Sequence, residues 1–179
     1  MAKTTPHEPV KLFVGMLGAS EGLFSEAVGL LGEQFGIVDV TSPLMDFDFT
    51  DYYAGQMGLS LKRVFYAFRE LIDPAQIARI KLLTNSIEEK FAARGLAFPR
   101  PLNLDPGYLT AAKLTLATAK NFAHRIYLAE GIYAEVTLNW RDGAWRGNPW
   151  TYPDYLSEGY LRFFTDLRVR YLEQLRHSD

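Results

Sequence analysis

KRVFYAFRELIDPAQIARIKLLTNSIEEKFAARG, residues 62–95, joins a strand to a helix, and the change of hydrophobic period between them decides the fold class. Residues 62–72 alternate as a β-strand does, with successive side chains on opposite faces. Asp73 then stands where a helix N-cap belongs, and Pro74 at the first helical position, where its missing N–H costs nothing. Beyond it Ile77, Ile80, Thr84, Ile87 and Phe91 recur at the spacing of one helical face, and Gly95 is placed to stop the chain, which predicts a helix over 74–94.

Working outward, residues 10–18 (VKLFVGMLG) form an apolar run of strand length. Ser20 is placed to cap a helix over 21–35, with Phe24, Ala27, Val28, Leu31 and Phe35 as its stripe and Gly36 at its end. Residues 37–41 return as a strand, and 46–58 (DFDFTDYYAGQMG) read as a loop or extended edge. The β-α-β-β-α order predicts a ferredoxin-like, split βαβ first half. Leu109–Thr118 is expected as the next strand. A final helix is expected from Thr151 as N-cap, with Pro153 in its first turn, to about Arg176. The expected class is α+β: an antiparallel or mixed sheet with helices largely on one face, C-terminal β-hairpins and a long C-terminal helix. After a flexible stretch over 1–9, residues 10–176 are read as one domain.

Composition sets the bounds. The chain has 179 residues, enough to bury a core without staples. It has no cysteine, which excludes disulfides, thiolate nucleophiles and cysteine-held metals or clusters. With 19 basic and 21 acidic residues the net charge is −2, so no global basic field draws nucleic acid. No run reaches the roughly 20 apolar residues of a membrane span, and the polar start MAKTTPHEPV is no signal peptide; a cytoplasmic location is expected.

Residues 124–146 set a register. An Ala129-Glu130-Gly131 turn puts Ile126 opposite Ala134, Arg125 opposite Glu135 and Tyr127 opposite Tyr133, separating polar from apolar positions. Asp142-Gly143 signals a tight hairpin with Trp140 opposite Trp145 and Asn139 opposite Arg146. If 132–140 alternate throughout, Ile132, Ala134, Val136, Leu138 and Trp140 share one face. Arg125, Tyr127, Tyr133, Glu135, Thr137 and Asn139 then share the other, with Lys113 joining them. Such a face is either ordinary solvated surface or a platform for a small anionic or phosphorylated ligand. In the second reading Lys113, Lys120 and Arg125 hold the anion, Tyr127, Tyr133 and Thr137 line it, and Glu135, His124 and Asp105 transfer protons or bind metal.

Asp46, Asp48 and Asp51 cluster in DFDFTDYY, the hard ligands a divalent cation such as magnesium favours, without the glycine and closing glutamate of a calcium loop. GMLGASEG (15–22) lacks the Gly-Lys-Ser/Thr of a P-loop. Arg69 shares its strand face with Phe65 and Ala67 and suggests an ion pair or a site rim. Lys81 and Asn85, off the helix stripe, are expected in solvent.

The series FVGML, DFTDYYAGQMG, IKLLTNSIEEKFA, NLDPGYL, KLTLATAKNFAHRIYLAEGIYAEVTL and WTYPDY resembles the bacterial domain-of-unknown-function family DUF4416 over about residues 10–176. The resemblance implies a stand-alone bacterial protein and no particular activity. Two functions stand beside each other: binding, with or without turnover, of a small anionic ligand, and docking of a protein, an RNA or a second copy of the chain on the same face.

Overall fold

The computed structural model describes residues 3–50 and 53–177. β1 (Val10–Gly18) is buried along its whole length, as its apolar run, broken only by the ion-paired Lys11, dictates. It is followed by α1 (Glu21–Phe35), β2 (Val38–Thr41), the two-residue β3 (Met45–Asp46), the single-turn α2 (Ala54–Met57) and β4 (Lys62–Ile72). The Asp73 carboxylate accepts from the Ala75 N–H at 2.8 Å and caps a 3-10 turn at Pro74–Gln76, which leads into α3 (Ile77–Ala92). Then come β5 (Leu102–Leu109), β6 (Lys113–Thr118), β7 (Ile126–Ala129), β8 (Ile132–Arg141), β9 (Ala144–Gly147) and α4 (Glu158–Arg176).

The described strands form one antiparallel sheet in the order β2-β4-β1-β5-β6-β8-β7, with β3 on β4 and β9 on β8. β4 lies between β1 and β2, so the split βαβ arrangement read from the sequence is present. The expectation that the helices gather on one face is corrected. Leu12, Val14 and Met16 pack with α1 and α3, whereas Phe13, Phe65 and Ala67 pack with Tyr160, Phe163, Phe164, Leu167 and Tyr171 of α4 on the other face. The reason is in β1 itself: it is apolar on both faces, and both must be covered. Each large α4 side chain buried this way contributes roughly 1.5–3 kcal/mol.

The strand expected over Leu109–Thr118 divides into the end of β5, a turn and β6. Thr110 makes that turn without glycine or proline, its hydroxyl accepting from the Lys113 N–H at 3.1 Å and the Ala112 N–H at 3.3 Å. The C-terminal helix also starts later than expected. Thr151 is no N-cap: its hydroxyl donates to the Thr137 carbonyl at 2.6 Å and accepts from the Asn148 N–H at 2.7 Å. Pro153 opens a 3-10 turn to Leu156, and α4 begins after Ser157.

The hairpin registers hold: Ile126 faces Ala134, Tyr127 faces Tyr133, Trp140 faces Trp145 and Asn139 faces Arg146. The three-residue turn expected at the first tip is corrected: Ala129 pairs with Ile132, a bulge near Leu128 takes up the shift, and Glu130 and Gly131, both at positive φ, close the turn by themselves. The alternation over 132–140 fails at one place. Leu114 pairs with Leu138 but Thr115 pairs with Val136, so Thr137 is the extra residue of a β-bulge. The bulge reverses the faces: Ile132 packs in the α1/α3 core, while Leu138 and Trp140 pack against α4. Lys113, paired with Asn139 beside the Leu114–Leu138 pair, therefore faces away from Glu135, which pairs with the α4-side Leu116.

Candidate functional site

A cavity of about 670 Å³ opens where β5 and β6 part. Their ladder covers only Gly107–Leu116, Tyr108–Thr115 and Leu109–Leu114. Pro106, which has no N–H to give a ladder, immediately precedes the first of these pairs. Beyond it Asn103 and Asp105 on one strand and Ala117–Lys120 on the other line opposite walls. The gap brings together side chains from both faces of the sheet. Lys81, Asn85 and Glu88 reach in from α3; Arg63, Asp154 and Tyr155 come from the α4 side; Arg125 and Glu135 close the far wall.

Arg63 is the buried centre of the floor, 3% exposed. It shares its strand face with Phe65 and Ala67, and a side chain on the neighbouring Gly15 would come within 2.9 Å of Phe65 and 3.1 Å of the Arg63 guanidinium. Glycine there makes room for the charge. Arg63 Nη1 donates to Asp105 Oδ2 at 2.9 Å, and Nη2 lies 3.9 Å from Asp154 Oδ2. The two carboxylates respond differently. Burial pushes the Asp154 carboxyl above the usual range despite Arg63. Burial also works against Asp105, but Arg63, Lys81 and Asn103 together hold it below the usual carboxylate value. Burial likewise lifts the Tyr53 hydroxyl to about 12 and Tyr155 well above 10.

The α3 wall is built as tightly. Lys81 Nζ donates to the Leu104 carbonyl at 2.7 Å and lies 3.7 Å from Glu88, whose carboxylate accepts from the Leu104 N–H at 2.8 Å. Arg100 Nη2 lies 3.5 Å from Glu88 Oε2 and donates to Asn103 Oδ1. Burial raises the Glu88 carboxyl above its ordinary value. Lys81, Asn85 and Glu88 follow one another at i, i+4 and i+7, a polar stripe beside the apolar one. The expectation that Lys81 lies in solvent is corrected: it is 6% exposed.

On the opposite wall Glu135 is the hub. Its Oε2 accepts from Arg125 Nε at 2.7 Å and from His124 Nε2 at 3.0 Å. Arg125 also donates to the Lys120 carbonyl at 2.9 Å and to the Tyr152 hydroxyl at 3.0 Å. The Thr137 bulge holds this wall in place. β7 and β9 pair with the two ends of β8, and between them side chains stand in for a strand: Asn148 and Trp150 donate to the Val136 carbonyl and Thr151 to that of Thr137. This clamps the chain that carries Tyr152, Asp154 and Tyr155 to the cavity. His124 stacks on Trp150, with ring centres 5.0 Å apart.

Of the residues the sequence offered for the ligand platform, Asp105, Lys120, Arg125 and Glu135 line the cavity. His124 and Thr137 stand behind Glu135, the Thr137 hydroxyl 3.4 Å from its Oε1. Lys113 faces away on the other side of the sheet. Tyr127 and Tyr133 pack edge to face on the β7–β8 hairpin, 5.4 Å between ring centres, apart from the cavity lining. In the aspartate loop Asp46 pairs with Lys62 at the surface, Asp48 is exposed, and Asp51 lies outside the described residues. No three His, Asp or Glu side chains among the described residues are grouped to hold a metal. Arg69 is exposed and lies away from this cavity, at a shallow depression beside α4; the interior arginine of that strand is Arg63.

No helix among the described residues is long and apolar enough to cross a membrane. No curated protein and no solved structure matches the chain. The family model of DUF4416, a domain of unknown function, matches residues 8–171, and the chain belongs to that family.

Proposed function

We propose that the cavity between β5 and β6 binds a small anionic or phosphorylated ligand. The observation that carries this reading is convergence. Among the described residues, five basic side chains (Arg63, Lys81, Arg100, Lys120 and Arg125) meet four carboxylates (Glu88, Asp105, Glu135 and Asp154) around one concave space in a chain whose overall charge is negative. A volume of about 670 Å³ suits a small molecule, and Phe49, Tyr53 and Tyr152 supply an aromatic wall for its less polar part. Arg100 and Lys81 sit on the wall nearest Asn103, Lys120 and Arg125 on the other, so an anion entering the gap meets cations from both sides. The bacterial cytoplasm is the setting this reading assumes.

The test is a thermal-shift screen of the wild-type protein against inorganic phosphate, phosphate esters, nucleotides and carboxylates, with Arg100→Ala and Lys120→Ala in parallel. The reading expects a stabilising shift from at least one anion, lost or halved in both variants. Shifts that are absent, or that persist unchanged in both variants, refute it.

A second reading, docking of a protein partner, rests on a separate observation. β7 ends the sheet, and Ile126 and Tyr127 on it are 71% and 58% exposed. An open edge with apolar side chains is a template for strand addition. It leaves the cavity unexplained, which is why the ligand reading is preferred.

A further inference from the structure

Asp105 differs from Glu88 and Glu135, the carboxylates of the two side walls. Glu88 and Glu135 have partners on both oxygens. Asp105 Oδ2 accepts from both Arg63 Nη1 at 2.9 Å and Asn103 Nδ2 at 2.7 Å, whereas its Oδ1 has no hydrogen-bond partner among the described residues. The side chain is 31% exposed and lines the cavity. Its orientation is fixed by a chain of contacts. Arg100 donates to Asn103 Oδ1, which turns the Asn103 amide N–H toward Asp105, and Gly15 leaves space for the Arg63 guanidinium behind it. The carboxylate is thus preorganised, ionised, and short of one donor.

We propose that the ligand is a hydroxylated anion, a polyol or sugar phosphate or a hydroxy acid, whose hydroxyl donates to Asp105 Oδ1 while its anionic group sits among Arg100, Lys81 and Lys120. This rests on the anion reading above and specifies its substrate class. The charge balance selects a hydroxyl over an amine: among the described lining residues five cations stand against four anions and favour a ligand with net negative charge, and a hydroxyl supplies a donor to Oδ1 without cancelling that charge. The aromatic wall of Phe49, Tyr53 and Tyr152 meets the carbon skeleton between the two polar ends.

The experiment is isothermal titration of the wild-type protein with four probes: inorganic phosphate, ethyl phosphate, glycerol 3-phosphate and glycerol. One hydrogen bond to a charged group corresponds to about tenfold to a hundredfold in affinity. Glycerol 3-phosphate is expected to bind at least tenfold more tightly than ethyl phosphate, which has the ester but no hydroxyl. Equal affinity for the two esters overturns the hydroxyl contact and leaves the anion reading standing. Binding of none of the phosphates, or of glycerol alone, overturns both. Asp105→Asn adds a second arm. With its carbonyl oxygen drawn to Arg63, the amide presents a neutral N–H where the charged acceptor Oδ1 stood, so the preference for glycerol 3-phosphate over ethyl phosphate should fall away, whatever the change does to inorganic phosphate. Retained selectivity in a folded Asp105→Asn protein overturns the proposal, and the wild-type comparison decides it if that variant does not fold.

Discussion

Replacing Arg63 by methionine removes the guanidinium and leaves Asp105 and Asp154 on the cavity floor without their shared counter-charge. Both are held close to it, Asp105 at 2.9 Å and Asp154 at 3.9 Å, and Arg63 itself is 3% exposed. Breaking a buried pair by removing one partner costs about 3–5 kcal/mol, because the remaining charge stays buried. The cost should depend on pH in a defined direction. Asp105 owes its depressed pKa to Arg63, and burial already raises Asp154. Without the guanidinium both carboxyls rise, Asp154 further above its unfolded value near 4 and Asp105 toward it. A carboxyl raised in the folded state is penalised where the unfolded chain is ionised, and the penalty disappears as pH falls toward the unfolded value. Urea unfolding of Arg63→Met should therefore show a loss of about 3–5 kcal/mol at pH 8 and a smaller loss at pH 5. Adding Asp105→Asn and Asp154→Asn should recover most of it, since neutral replacement of a whole buried network is often tolerated. A loss below about 1 kcal/mol at pH 8, or an equal loss at both pH values, would refute the claim that this network is buried and mutually compensating.

Other consequences follow from the same geometry. Gly15→Ala places a methyl 2.9 Å from Phe65 and 3.1 Å from Arg63, and should cost about 1–3 kcal/mol in urea melts as both give way. Lys11→Met strands Asp39, which Lys11 holds at 2.7 Å and Arg170 only at 3.6 Å; it should lower stability by about 3 kcal/mol, and Lys11→Met with Asp39→Asn should restore much of that. In a spectrophotometric titration at alkaline pH, Tyr53 should stay protonated until about pH 12 and Tyr155 should ionise no earlier than unfolding. Because unfolded tyrosine loses its proton near 10, stability should fall as pH rises through 10 toward 12; ten tyrosines titrating together near 10 would contradict the burial of both.

Much of the fold was legible because local signals and tertiary demand agree. The strand–helix junction at Asp73-Pro74, the α3 stripe and the Asp142-Gly143 hairpin register stand as read, as does the Ile126–Ala134 and Tyr127–Tyr133 pairing of the first hairpin, though not its three-residue turn. What was not legible came from single residues acting over distance. A turn made by the Thr110 hydroxyl has no glycine or proline to announce it. The Thr137 bulge is set by the partner strand β6, so strict alternation carried Lys113 onto the wrong face. The site was legible in part for the same reasons. Asp105, Lys120, Arg125 and Glu135 stood out as charges in or beside strands. The sequence does not set Arg63 apart from Arg69, since both lie on the same alternation, yet only Arg63 has Gly15 and Asp105 beside it. The Lys81-Asn85-Glu88 stripe was visible as a spacing, but a polar stripe shows a site only once a parted pair of strands is known to face it.

The central claim, that the parting of β5 and β6 forms the binding site, is tested most directly by amide chemical-shift mapping as inorganic phosphate and then glycerol 3-phosphate are titrated into labelled protein. The account predicts saturable shifts concentrated at Asn103–Asp105 and Ala117–Lys120, with Arg100 and Arg125 next. Shifts that stay at noise level, or that gather on the exposed β7 edge around Ile126 and Tyr127, would contradict it.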